Sequence, residues 1–328
     1  MKYIQVDKFG GPEQLKLREE ATPMPKASQL LVEVKASGIN FADLTARSGH
    51  YPTFPHTPFL PGFEVAGTVA EVGEGVSNFA VGQRVMAALP RGGGYASHAV
   101  VETNMAFPLP DNLDFAPATA LLVQGLTAYF LLEAGQLRPC GTVLVPGAAG
   151  GVGSLAVQIA KLKGAGKVIG LASPSKHARV CAYGADDVFD YNRPGWAQQV
   201  LDATGGKGVD IFLDSQGELW GEGAHTLGKG AFWLMFGRQS RGDSALDAKF
   251  MGLAKTLTNL IFSGVTIRSY WLNSDLHRIG DALPELIGWA ASGKLQIETA
   301  DRFSLEDAAK AHEAIAARQT RGKVVLEP

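Results

Sequence analysis

The chain has 328 residues, 46% of them hydrophobic and 19% charged, with a formal net charge of −2. That is long for a single core, so two domains are expected, and the near-neutral balance offers no electrostatic attraction to nucleic acid or to an anionic membrane. Cys140 and Cys181 make no disulfide framework, the scattered histidines form no HxxxH pair, and no metal site is expected.

At the amino terminus, MKYIQVDKFGGPEQ lacks the apolar core of a signal peptide, and no apolar run in the chain reaches bilayer length, which makes the cytoplasm the expected location. Up to about residue 115, short apolar runs (LLVEVKASGI, EVAGTVAEVG, QRVMAAL, YASHAVV) are cut by Gly and Pro, the texture of a β-rich, barrel-like domain. From about 117 the spacing changes. APATALLVQGLTAYFLLEAG is helical, and strand-like TVLVP, KVIGLAS, VDIFLDS and GAFWLMFG then alternate with helical runs such as VGSLAVQIAKLKG and PSKHARVCAYG. That alternation marks a parallel sheet wound with helices, so the fold class is α/β. The tail adds helices in DALPELIGWAASG and SLEDAAKAHEAIAAR and a closing strand in KVVLEP.

Between TVLVP and the following helix stands GAAGGVG, with Gly147, Gly150 and Gly153 in a GxxGxxG pattern. A dinucleotide pyrophosphate must come close enough to the backbone to accept bonds from free N–H groups at a helix start, and a Cβ on the turn would hold it away. Gly150, Gly151, Val152 and Gly153 are therefore candidate cofactor contacts, although a tight strand-to-helix turn with no ligand uses the same letters. NAD-binding folds place an acidic residue roughly 20 positions further on to hold the ribose 2′-hydroxyl. Here that region reads KVIGLASPSKHAR, without Asp or Glu until Asp186. Ser173 and Lys176 instead offer a hydroxyl and a positive charge to a 2′-phosphate, which makes NADPH the expected cofactor; solvated helix-start residues would look alike.

Several stretches together carry a family resemblance: GGPEQL near the start, GINFADLTARSGHYP at 38–52, PGFEVAGTVAEVGEGVSNFAVGQRV at 61–85, QGLTAYFLL at 124–132, the glycine corner, and LDSQG at 213–217. Over essentially its whole length the chain resembles the quinone oxidoreductase (zeta-crystallin-like) branch of the medium-chain dehydrogenases and reductases. The resemblance implies a GroES-like catalytic domain (1–118 and 262–328), a Rossmann NADP-binding domain (119–261), an active site in the seam between them, and a homodimer. Zinc-dependent members of the superfamily have a Cys near the position of Asn40 and a His in a GHE motif. This chain has Asn40, and Phe63 in Gly62-Phe63-Glu64, so the resemblance implies a zinc-independent enzyme acting on a small quinone or enone.

The resemblance also implies site residues. Asn40 and Thr127 are expected against the nicotinamide, with a turn-stabilising amide and a helix-interior hydroxyl as their plainer readings. Tyr51 is the candidate for contacting the substrate oxygen or donating a proton, or else a loop anchor; a phenol, with an ordinary pKa near ~10, holds its proton at neutral pH. Relatives often carry another tyrosine six residues before it, where this chain has Thr45. Asp43 is a candidate to orient Asn40, with an acidic surface turn as its plainer reading. Tyr191 is expected near the adenosine end of the cofactor, Ser215 and Gly217 after the fourth Rossmann strand, Phe236, Gly237 and Arg238 after the fifth, and Lys323 in the tail that approaches the cofactor; plain core residues at Tyr191 and Phe236 and a solvated strand-start lysine at Lys323 are the alternative readings. Phe54, Phe59, Phe63, Trp271 and Leu272 are expected to line an apolar pocket, or else, as aromatics next to prolines, to serve packing alone. Two rival functions share these features, an enoyl-thioester reductase and a non-catalytic NADPH-binding protein.

Overall fold

The computed structural model describes residues 1–51, 54, 56–215, 219–237 and 263–328. The chain divides into two compact units, one made of Met1–Leu126 with Leu276–Pro328 and the other of Thr127–Asp275. These limits differ from 118/119 and 261/262. Val123 packs on the core of the first unit, and the strand Thr266–Ser269 extends the sheet of the second.

In chain order the strands are β1 (Lys2–Val6), β2 (Leu15–Glu19), β3 (Gln29–Ile39), β4 (Glu64–Val72), β5 (Arg84–Ala88), β6 (His98–Glu102) and β7 (Ala106–Pro108) in the first unit. Then come β8 (Thr142–Pro146), β9 (Lys167–Leu171), β10 (Asp187–Phe189), β11 (Val209–Asp214), β12 (Leu227–Met235) and β13 (Thr266–Ser269) in the second. The chain returns to the first unit for β14 (Asp301–Ser304) and β15 (Val324–Glu327).

The main sheet of the first unit runs β14-β15-β3-β4-β5-β7, with β6 also paired to β3. Its long central strand, QLLVEVKASGI, alternates as a pleated strand must, sending Leu30, Val32 and Val34 into a core with Val65, Val69, Val85 and Val101. Register shifts at Leu31/Val32 and Val34/Ala36 interrupt its pairing with β4, the kind of irregularity that bends a strand. At its far end β3 pairs with β15, Ile39 opposite Val324 and Gly38 opposite Val325. That register puts the last residue before β15, Lys323, next to the end of β3, while β4 opens on Glu64.

In the second unit six parallel strands lie in the order β10-β9-β8-β11-β12-β13. The direction of winding reverses between β8 and β11, the usual place for a ligand in an open parallel sheet. Strands buried on both faces need near-continuous apolar sequence, and VIGL of β9 and IFLD of β11 are fully buried.

A helical stretch from Phe115 to Ala134 comprises α2 (Phe115–Ala120), a π-helical turn (Leu121–Gly125) and α3 (Leu126–Ala134). By length and composition it could cross a membrane, contrary to the expectation that no apolar run is long enough. Most of it is buried within the protein, so packing accounts for its apolar character.

Candidate active site

In the first unit, a buried polar cluster forms where β3 ends. Asn40 precedes α1 (Phe41–Arg47), and its backbone N–H donates to Asp43 Oδ2 at 2.8 Å. The N–H of Gly62 donates to Asp43 Oδ1 at 3.0 Å. Gly62 is needed there: its φ of +98° is in the left-handed region, and a Cβ would lie 2.6 Å from the Tyr95 backbone nitrogen. Asp43 thus fixes the backbone of Asn40 and completes a capping box with its side chain, and the Asn40 amide is bonded by two further residues.

Asn40 Nδ2 donates to Glu64 Oε1 at 2.8 Å, and Asn40 Oδ1 accepts from Lys323 Nζ at 2.8 Å. Lys323 also donates to the Ile39 carbonyl at 3.0 Å and forms a close ion pair with Glu64. The other Glu64 oxygen accepts from the Val123 N–H, in the π-helical turn, at 2.8 Å. Asp43 and Glu64 are fully buried and Lys323 nearly so. Burial pushes the Asp43 carboxyl up to about 7, against the pull of its bond from Asn40 and the charge of Lys323.

Lys323, expected in the tail that approaches the cofactor, has the bonds of its ammonium inside the first unit. An ammonium has three protons, and here they meet Ile39, Asn40 and Glu64 inside the unit. The Asn40 amide has capacity left: among the described residues its second Nδ2 proton has no partner, while Oδ1, besides Lys323, faces the Asp43 N–H in a capping box.

Tyr51 is half-buried in the same unit, its ring 5.2 Å from that of Phe63. Phe63 lies 5.6 Å from Phe54, which stacks on Phe59 at 4.5 Å. These aromatics share a core with Ile39, Leu44 and Tyr95. Thr45, at the position where relatives often have tyrosine, is buried and its hydroxyl donates to the Phe41 carbonyl at 2.9 Å.

The second unit gathers the candidate cofactor residues along the carboxyl ends of neighbouring strands. After β8, Gly147 turns with φ +63°, and its carbonyl accepts from the Gly150 N–H at 2.8 Å. Gly150 then caps α4 (Gly151–Leu162) without any side chain, so its first-turn N–H groups have no side-chain cap. A Cβ on Gly153 would stand 2.2 Å from the Gly147 carbonyl oxygen, so that glycine serves the fit of helix onto turn. Ser173 and Lys176 follow β9, Tyr191 follows β10, Ser215 follows β11, and Phe236 and Gly237 follow β12. An ideal Cβ on Gly147 would lie 3.7 Å from Ser215 Oγ, and one on Gly237 3.5 Å from the Ser215 carbonyl. Tyr191 packs partly against the core of its unit. Gly217 and Arg238 lie outside the described residues. Thr127, on α3, is buried and belongs to this unit, as do Trp271 and Leu272, whereas Asn40 and Tyr51 belong to the first.

Glu64, Gly38, Val123 and Gly62 are the members of the cluster that sequence reasoning does not assign to a site. Glu64 stands in the same Gly-Phe-Glu stretch that has phenylalanine in place of a metal-binding histidine, but its partners are 59 residues and more away along the chain except for Asn40. Only the pairing of β15 with β3 and the packing of the π-helical turn could reveal them.

A GroES-like unit with a Rossmann-like parallel sheet defines a dehydrogenase/reductase of the medium-chain type. The alcohol dehydrogenase GroES-like domain family matches residues 26–111, and the zinc-binding dehydrogenase family matches residues 183–326. A quinone oxidoreductase of Pseudomonas aeruginosa is 35% identical over 330 aligned residues, covering 100% of this chain and 99% of that protein. Quinone oxidoreductase 1 of Escherichia coli is 33% identical, with 99% of each covered. The crystal structure of Escherichia coli quinone oxidoreductase complexed with NADPH superposes with a TM-score of 0.89, at 32% identity and with 100% of both chains covered. The chain belongs to the quinone oxidoreductase branch of the medium-chain dehydrogenase/reductase family, and is an oxidoreductase.

Proposed function

We propose that this chain is a zinc-independent, NADPH-dependent enzyme that transfers a hydride to a quinone or an α,β-unsaturated carbonyl. The observation that carries the proposal is the carboxyl edge of the parallel sheet: a helix start with no capping side chain, a hydroxyl and an ammonium after the second strand, and no carboxylate there. The N–H groups of Gly151, Val152 and Gly153 suit a pyrophosphate, with Gly150 leaving the approach clear. Ser173 and Lys176 suit a 2′-phosphate, and Tyr191 the adenosine end. Ser215, Phe236 and Gly237 belong to the same binding edge; Gly217 and Arg238 join it on sequence grounds. The relative crystallised with NADPH supports this choice of cofactor.

When bound, NADPH supplies the hydride. The chain has to orient the acceptor and stabilise charge that builds on its oxygen. Asn40 is suited to donate its remaining amide N–H, Thr127 to position the reducing ring, and Tyr51 to contact the acceptor oxygen or return a proton. Zinc independence rests on donor chemistry. At the positions in question stand an amide, a phenyl ring, and a carboxylate already paired with an ammonium, which do not suit a dication.

The deciding experiment follows NADPH and NADH absorbance against quinones, enones and enoyl thioesters, with and without a zinc chelator. NADPH oxidation by quinones or enones, unaffected by the chelator, is expected. Preference for enoyl thioesters would redirect the assignment, cofactor binding without turnover would make the chain a binding protein, and loss of activity on chelation would overturn zinc independence. The proposal includes a cytoplasmic homodimer, and a monomeric mass in sedimentation would remove that part.

A further inference from the structure

We propose that Glu64 is a positioning residue: with Lys323 it locks the Asn40 amide into one of its two flipped orientations, and it anchors the π-helical turn that leads to α3. The catalytic consequence rests on the function proposed above. The lock itself does not.

An amide can be turned over with little change of shape, which exchanges its oxygen and its nitrogen. At Asn40 the neighbours forbid the exchange. Lys323 only donates and the Glu64 carboxylate only accepts, so Oδ1 must face the ammonium and Nδ2 the carboxylate. The reverse orientation would set N–H against ammonium and oxygen against carboxylate. What remains to Asn40 is a single N–H, and its direction is decided by the pair.

Glu64 has a second task. Within the π-helical turn Leu121–Gly125, the Val123 N–H is bound by Glu64 Oε2. Such turns occur mostly as single insertions in α-helices and are frequent at functional sites. One carboxylate therefore fixes Asn40 with one oxygen and, with the other, the turn four residues before Thr127.

The backbone makes room for this arrangement. A Cβ on Gly38 would come within 2.3 Å of Glu64 Oε1 and 2.5 Å of Lys323 Cε. A buried ion pair is a weak source of stability, because apolar residues of similar volume often serve as well. Orientation is what an apolar pair could not supply.

The test is Glu64→Gln, alone and in an Asn40→Ala background, read by kcat, by NADPH affinity, and by hydrogen exchange of the Asn40 Nδ2 protons in protein with isotopically labelled asparagine. The uncharged glutamine weakens the counterion of Lys323 and, if its oxygen stays toward Asn40, turns an N–H toward Val123. We expect Nδ2 exchange to quicken and kcat to fall, each by about tenfold or more, with NADPH affinity within about twofold of wild type. In the Asn40→Ala background the route through the amide is gone and only the bond to the Val123 N–H remains, so the same change should lower kcat by less than about threefold. Equal losses in both backgrounds, or unchanged Nδ2 exchange, would overturn the proposal. Should Glu64→Gln fail to fold, Gly38→Ala presses on the same pair and leaves its charges in place; the same losses are then expected, and the same two results would overturn the proposal. If the wild-type protein turned over no acceptor, the proposed function would fail, and the exchange measurement would still decide the role of Glu64.

Discussion

His312 and Asp43 are buried titratable side chains whose effects on stability oppose each other. Burial, with the nearby charge of Arg47, lowers the His312 pKa from 6.5 to about 3. The ring is fully buried and bonded at Nε2 to the Tyr95 hydroxyl at 2.9 Å. Between pH 6.5 and 3 the unfolded chain takes up a proton that the folded one refuses, so the contribution of His312 is complete above 6.5 and lost as pH falls. Asp43 behaves in the opposite sense. Between pH 3.8 and 7 the folded protein keeps a carboxyl proton that the unfolded chain releases, so its contribution is complete below 3.8 and lost as pH rises. Each slope approaches about 1.4 kcal/mol per pH unit, and where the windows overlap the two cancel. Urea unfolding at pH 4.5 and pH 6.5 should therefore show His312→Gln losing less stability than wild type on acidification, and Asp43→Asn losing more. Parallel pH dependences in all three proteins would contradict these assignments.

Lys176 poses a simpler question of charge. If it meets the 2′-phosphate, Lys176→Ala should weaken NADPH binding by about tenfold and leave NADH within about twofold, as titration of protein fluorescence would show. Equal weakening of both cofactors would remove it from that position.

The helix α4 shows how much a bare corner depends on one atom. Gly150 has an ordinary φ of −85°, and a Cβ there would stand 3.2 Å from the Gly147 carbonyl oxygen; clearance for a ligand is its further role under the proposed function. Gly147 and Gly153 have nearer reasons: one turns with positive φ, and the other lies against the carbonyl of the first. Gly153→Ala should force α4 off the turn, raising the NADPH dissociation constant by about 100-fold, with the circular dichroism of the helices retained. Near-normal affinity would mean that this helix start does not hold the pyrophosphate. The π-helical turn is a different case. Nothing in LLVQG distinguishes it from the α-helix on either side, because the carboxylate that takes up the Val123 N–H belongs to a distant strand.

For the molecule as a whole, binding to the folded state alone must raise stability by mass action. NADPH at 100 times its dissociation constant should add about 2.7 kcal/mol, and NADH at that same concentration less, read as the rise in Tm in a thermal scan. An equal rise for both would show that the site does not select the 2′-phosphate. Elements with a short period are legible in the amino-acid sequence: the alternation of β3, the parallel strand runs, the helix after the glycine corner. Their signal is complete within a dozen residues, since backbone geometry repeats every 2 or 3.6 residues along the chain. So are the α/β class and the candidate cofactor edge. The Asn40 cluster is not, because Lys323 and Asn40 stand 283 residues apart and meet only through the register of β15 on β3. Local pattern carries no record of register between distant strands, and it is register that makes Lys323 the inner partner of Glu64.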